Sequence, residues 1–253
     1  MARHEPQATT PNGATTAAGT PHEADPHKQR KRVERISRRW PLISSGLAVC
    51  TAVVIGLIVF LRGNTPYEAD TLWLEEIVEH RNPIGLALAG FMTWVGGGWF
   101  AVFLVPIVCI VILLILKRRW SALYFALATI TSSTVVLIIK ASYGRPRPEE
   151  MWAGLDAGSF PSGHTANAAT LGIILAFIAW RWWAWAAAGI WMVLMALART
   201  YLGAHWLSDT VGGLLIGIAV ATIVWAPFAD RMRVESGGKK NVAELPESQP
   251  AST

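Results

Sequence analysis

The chain has 253 residues, 53% of them hydrophobic and only 15% charged, with 13 Trp. That balance excludes an ordinary soluble domain and points to an integral membrane protein. The formal net charge of +5 would suit a nucleic-acid binder, but Lys and Arg gather beside apolar runs, as the cytoplasmic flanks of membrane helices require, so no nucleic-acid partner is expected.

Residues 1 to about 27 are rich in Ala, Thr, Pro and Gly and carry no hydrophobic period. With the basic stretch that follows, 1–40 is expected to be a disordered cytoplasmic tail. His4, His22 and His27 sit in it without a compact ligand pattern, which favours a solvated tail over a metal-binding one. Pro41–Leu61 is a 21-residue uncharged run behind Lys28, Arg30, Lys31, Arg32, Arg35, Arg38 and Arg39. It is span-length and no small-residue cleavage site follows, so it reads as a retained first span rather than a signal peptide. Cys50 lies in this run and Cys109 in the next long one, with no ligand spacing near either, so neither a disulfide framework nor a metal site follows.

Ile84–Val95 is apolar but only about a dozen residues long, and it ends at Gly96-Gly97-Gly98. That length favours an interfacial or re-entrant helix. Gly98–Leu116, Ser121–Ile139, Thr165–Trp180, Trp182–Ala198 and Thr210–Ala229 can each cross a hydrocarbon core of about 30 Å as a helix. Six spans with the N-terminus inside put Lys117-Arg118-Arg119, Arg181, Arg231 and Arg233 on the cytoplasmic side, whereas a seventh would put Lys117-Arg118-Arg119 outside. The expected fold is therefore an all-α polytopic membrane helix bundle of six transmembrane helices, with one short interfacial helix before the second span. Its membrane domain covers 41–230, a polar tail covers 231–253, and both termini are cytoplasmic. Trp40, Trp120, Trp180, Trp182 and Trp183 would form the inner aromatic belt, and Trp99 and Trp206 the outer one.

Three polar clusters interrupt the apolar chain: Lys140 with Arg147-Pro148, then Pro161-Ser162-Gly163-His164, then Arg199 with His205 and Asp209. Ionisable residues in such a setting are costly and mark a functional site. Six-span parity brings all three to the face opposite the N-terminus. Arg147 and Arg199 offer planar forks that match phosphate oxygens, and Lys140 a point charge. Singly, each would more often be a helix-end cation snorkelling to the interface. Ser162 and Gly163 at a helix start could cradle an anion, or Ser162 could be a plain N-cap. His205 and Asp209, four apart, suit a carboxylate that fixes an imidazole tautomer and leaves the other nitrogen free to attack, or else an Asp that caps a span beside a belt-region His.

Taken together and in this order, the clusters resemble the three motifs of the type-2 phosphatidic acid phosphatase family, membrane lipid-phosphate phosphatases that share a site with vanadium haloperoxidases. The resemblance covers roughly Ile84 to Ala229. Ala198 departs from it, since the family usually has Ser before the Arg. The resemblance implies a phosphohistidine mechanism without metal or other cofactor. His205 would attack phosphorus, Asp209 would orient it, and His164 would protonate the leaving oxygen and then activate water. Lys140, Arg147, Ser162, Gly163 and Arg199 would bind the phosphoryl group, while Arg145, outside the matched spacing, reads as a loop charge. The implied substrate is a lipid phosphate or pyrophosphate in the cell membrane, met at the extracytoplasmic face: undecaprenyl pyrophosphate, phosphatidic acid or phosphatidylglycerol phosphate. Head-group exchange at the same site is the alternative enzyme. An anion transporter is the alternative of another class, disfavoured because the charges sit at helix ends rather than at the midplane.

Overall fold

The computed structural model describes residues 26–149 and 158–237, with side chains from Leu42 onward. The described part of the compact unit 1–37 is helical, and the features below lie in the unit 38–253. The described residues form helices joined by turns and loops, without a strand: α1 (Pro26–Leu61), α2 (Glu68–Glu79), α3 (Pro83–Gly96), a π-helical segment (Phe100–Leu104), α4 (Val105–Ile115), α5 (Arg119–Tyr143), α6 (Gly163–Ala179), α7 (Trp182–Tyr201), α8 (Leu207–Trp225) and α9 (Ala229–Glu235). Five stretches are long and apolar enough to cross a membrane: Leu42–Leu61, Pro83–Ile115, Arg119–Tyr143, Trp182–Tyr201 and Leu207–Trp225. The 17-residue α6 is a sixth, shorter apolar helix. Large exposed apolar side chains run along α1 (Leu47, Ile58), α4 (Ile107, Ile115), α5 (Ile130, Leu137) and α7 (Ile190, Val193), as the lipid-facing surface of a multi-pass membrane protein requires.

α6 is the central helix. It packs against α8, α7 and α5, and most of its side chains are buried. α8 approaches it at Gly213 and Gly217, where a Cβ would run into the Ser162 and Ala166 carbonyls, the small-residue contact by which membrane helices pack closely. At one end of the bundle Phe177 stacks on Trp225 with centroids 4.3 Å apart, and Trp120 meets Phe228 at 6.2 Å. At the other end the starts of α6 and α8 meet the last turns of α5 and α7.

Three segments differ from the sequence expectations. Helix begins at Pro26, inside the stretch expected to lack order up to residue 40, because 27–40 holds no Gly or Pro and is rich in the helix formers Lys, Arg, Gln and Glu. Residues 1–25, with His4 and His22, lie outside the described residues. Residues 231–235, assigned to a polar tail, belong to α9. Its Glu235 caps α5 by accepting from the Trp120 amide at 2.6 Å and from the Ser121 amide and hydroxyl at 3.0 and 3.1 Å. The apolar segment at 84–95 is α3, which runs along the last turns of α7, with Gly85 against Tyr201 and Gly96 against Met195 and Trp191. It continues through the π segment into α4, so the apolar stretch is 33 residues long.

Candidate active site

The three polar clusters converge at one end of the bundle. α5 ends at Gly144, whose left-handed conformation (φ 57°) turns the chain so that 145–148 folds back over the helix ends. That turn is held by the Ser159 amide donating to the Arg145 carbonyl at 2.7 Å, and by the Ser159 hydroxyl and the Trp206 indole each donating to the Pro146 carbonyl at 3.0 Å. The Phe160–Pro161 peptide is cis. The Ser162 amide donates to the Asp209 carbonyl at 2.9 Å, tying the start of α6 to the start of α8.

His205, in the turn between α7 and α8, is buried. Its Nδ1 faces Asp209 Oδ2 at 3.5 Å, and its Nε2 lies 3.3 Å from Arg147 Nη1. A guanidinium only donates, so Nε2 accepts there and the ring proton resides on Nδ1, toward the carboxylate. Burial pushes the His205 pKa down to about 4; Asp209 opposes the shift, while Arg199 and Arg147 add to it. At neutral pH the ring is neutral, with the Nε2 lone pair available. Asp209 also accepts from the Trp206 amide at 2.9 Å through Oδ2, so it caps α8 while facing the imidazole. The cap expected of Asp209 is present, and the same carboxylate faces a buried His205 rather than a belt-region one.

Around this pair stand the cations. Arg147 Nη1 donates to the Ala204 carbonyl at 2.6 Å, and burial lowers the Arg147 pKa from its usual value. Lys140 Nζ donates to the Gly158 carbonyl at 2.6 Å, and buried Arg199 donates through Nη1 to Thr93 Oγ1 at 3.1 Å. Lys140 and Arg199 thus bond neutral acceptors and keep their charge for something else. His164 lies within Coulombic range of His205, Arg199, Arg147 and Lys140. Ser162 is buried, makes no side-chain cap on α6, and its Oγ has no hydrogen-bond partner among the described residues. It is therefore not the plain N-cap; its hydroxyl stands beside the first amides of α6, groups that can donate to an anion. A Cβ at Gly163 would meet only Val136, at 3.8 Å, leaving open space beside the helix start. Lys140, Arg147, Ser162, Gly163, His164, Arg199, His205 and Asp209 are all brought together.

Four further residues hold places that the sequence reading did not assign to them. Arg145 is not a loop charge: it is fully buried, with Nη1 donating to Asp209 Oδ1 at 2.5 Å and Nη2 to Asp70 Oδ2 at 2.8 Å. Asp70, in the first turn of α2, is buried with it. Gly97 is the point where the α3 end touches His164, for a Cβ there would overlap the imidazole. Thr93 supplies the hydroxyl to Arg199, so a supporting hydrogen bond reaches this arginine from another helix although Ala198 has none to give. Among the described residues, three metal-ligating groups converge only at Glu76, Glu79 and His80. All three are exposed at the end of α2, and none belongs to the cationic cluster.

Residues 121–233, from α5 to α9, match the PAP2 superfamily model. Over 136 residues the chain is 28% identical to phosphatidylglycerophosphatase B of Bacillus subtilis (strain 168), a match over 48% of this chain and 66% of that protein. Over 78 residues it is 38% identical to YbjG of Escherichia coli (strain K12), provisionally named an undecaprenyl-diphosphatase, a match over 29% of this chain and 38% of that protein. The chain thus spans just under two thirds of the first relative and little more than a third of the second. In fold, it superposes on a crystal structure of a transmembrane PAP2-type phosphatidylglycerolphosphate phosphatase from Bacillus subtilis with a TM-score of 0.65, at 21% identity, over 74% of this chain and 96% of that one.

Proposed function

We propose, from the match of residues 121–233 to the PAP2 superfamily model, that this chain hydrolyses the phosphate or pyrophosphate head group of a membrane lipid through a phosphohistidine on His205. The observation that carries this reading is the buried, neutral imidazole whose Nε2 points at Arg147 among cations, with a carboxylate behind its Nδ1. In the first step a bond forms between Nε2 and phosphorus while the bond to the leaving oxygen breaks, and that oxygen takes a proton from His164. In the second, His164 takes a proton from water, the water oxygen attacks phosphorus, and the N–P bond breaks to release phosphate and restore neutral His205. Lys140, Arg147 and Arg199, with Ser162 Oγ and the α6 amides at Gly163, stabilise the charge on the phosphoryl oxygens. The chemistry uses no metal.

The names of the two curated relatives support phosphatidylglycerol phosphate and undecaprenyl pyrophosphate as substrates, and phosphatidic acid is the third of the panel. The 17-residue α6 is about 26 Å long, enough to cross with a few flanking residues. With α1, the Pro83–Ile115 stretch, α5, α7 and α8 it makes six spans, α3 being the outer lead-in to the second. Lys117, Arg119, Arg231 and Arg233 at the opposite end favour cytoplasmic termini and an outward-facing site.

The test is phosphate release by the purified protein from dioctanoyl phosphatidic acid, phosphatidylglycerol phosphate and undecaprenyl pyrophosphate with EDTA present. Release from at least one, abolished in His205→Ala and blocked by vanadate, is expected. No release above His205→Ala from any of the three overturns the reading, and activity lost in EDTA but restored by Mg²⁺ overturns its metal-free form. With Cys50 and Cys109 replaced, a cysteine at Glu149 should react with an impermeant thiol reagent outside intact cells and one at Lys117 should not; the reverse pattern puts the site in the cytoplasm.

A further inference from the structure

Asp209 also belongs to a closed set of charges whose other members, Arg145 and Asp70, the phosphoryl chemistry does not touch. Arg145 joins two buried aspartates, bonding Asp209 Oδ1 through Nη1 and Asp70 Oδ2 through Nη2. Asp70 Oδ1 accepts from the Ser208 amide at 2.8 Å, and its Oδ2 accepts from the Ser208 hydroxyl at 2.7 Å and from the Tyr67 amide at 3.1 Å. The Ser208 hydroxyl also accepts from Arg145 Nη1 at 2.8 Å, and the guanidinium lies 5.6 Å from the Trp206 ring centre. The set ties the start of α2, the loop after α5 and the start of α8 into one unit.

A guanidinium this close to Asp209 fixes the carboxylate in place, but alone it would also cancel the charge that His205 uses. Asp70 offsets that cost. The charges −1, +1 and −1 on Asp70, Arg145 and Asp209 leave the buried set at −1, so Asp209 is clamped and the set still attracts a positive imidazole. Resting on the reaction proposed above, in which the His205 ring becomes cationic once Nε2 bonds phosphorus, this balance has a direct consequence. We propose that Asp70 and Arg145 are positioning residues for the phosphoryl transfer: Arg145 holds the Asp209 carboxylate, and Asp70 restores the negative charge that supports the cationic ring. Neither touches the substrate.

The charge arithmetic supplies the test. Asp70→Asn leaves the set at 0, Arg145→Gln leaves it at −2 with two carboxylates forced together, and the double variant returns it to −1. With dioctanoyl phosphatidic acid as probe, each single variant is expected to lose about 10-fold or more in kcat with KM within about two-fold, and the double variant to recover at least about five-fold over Arg145→Gln, in the range of coupling within one charged network. Additive losses would mean that Asp70 and Arg145 act independently and overturn the proposal, as does wild-type kcat in both singles or a rise in KM that accounts for the loss. Should Arg145→Gln not fold in detergent, Asp70→Asn is compared with Ser208→Ala, which removes hydrogen bonds without changing charge. A loss in Asp70→Asn no larger than in Ser208→Ala then overturns it. His205→Ala runs alongside: full activity there sinks the reaction itself, whereas an inactive His205→Ala beside undamaged Asp70 and Arg145 variants sinks only the positioning role.

Discussion

Each end of the bundle sets an arginine over a tryptophan, and the two pairs have opposite characters. At the site end Arg145 lies 5.6 Å from the Trp206 ring, fully buried and bonded to two carboxylates. At the other end Arg231 lies 4.1 Å over Trp120 and is exposed. Water hydrates the second cation, so its attraction to the ring is a modest addition. The first has been taken out of water and persists only because its partners compensate it, which makes removal of any partner costly. A basic residue at a membrane helix end is therefore defined less by its position than by what shares its burial.

The largest contrast between the ends should come from His205→Ala, which is expected to lower phosphate release by at least about 10⁴-fold and to remove any acid-labile phosphoenzyme, as loss of a nucleophile does. Turnover near the wild-type rate would erase the distinction between the ends. With the His205 pKa near 4 against an ordinary value of 6.5, the wild-type ring stays unprotonated until the pH nears 4. The fall of kcat/KM caused by its protonation should therefore appear close to pH 4 and not around 6.5; a fall centred near 6.5 in the pH profile would mean a solvated ring. Asp209→Asn should cost on the order of 10² or more in kcat, since it disturbs tautomer and charge together. Gly97→Ala should cost about 10² by forcing the His164 ring aside while thermal unfolding stays close to wild type; unchanged kcat would show that the α3 end does not set that ring. At the far end, Arg231→Ala should leave kcat within about two-fold and remove about 0.5–1 kcal/mol of stability, a fall of about 1–4 °C in Tm.

The same contrast explains what the sequence could reveal. Lys140, Arg147, Ser162, Gly163, His164, Arg199, His205 and Asp209 stand at fixed spacings at or just beyond helix ends, and six-span parity put their three clusters on one membrane face. Asp70 has no such spacing. It lies 75 residues from Arg145 in the chain, in the first turn of a short helix, where acids are ordinary. Only the observation that Arg145 immediately precedes Pro146-Arg147-Pro148 could have hinted that the reversal of the chain would press it against α8. Gly96–Gly98 read as a stop to an apolar run because a glycine's role as clearance for another residue depends on which residue arrives, here His164. α2 went unseen because a dozen residues rich in acids carry little periodic signal; it buries only Asp70 and Leu74.

The contact of α6 with α8 through Gly213 and Gly217 bears on how this protein can vary over evolutionary time. Neither glycine has a functional group, yet the gap they set fixes the 2.9 Å bond between the Ser162 amide and the Asp209 carbonyl, and so the separation of the two motif-bearing helix starts. A single methyl at either position would spread the helices like a shim under a hinge plate, moving Asp209 and His205 away from Ser162 and His164 as one piece. Substitution at these inert positions should thus be nearly as poorly tolerated as at the histidines, and the alleles that survive there should carry a compensating small residue on α6.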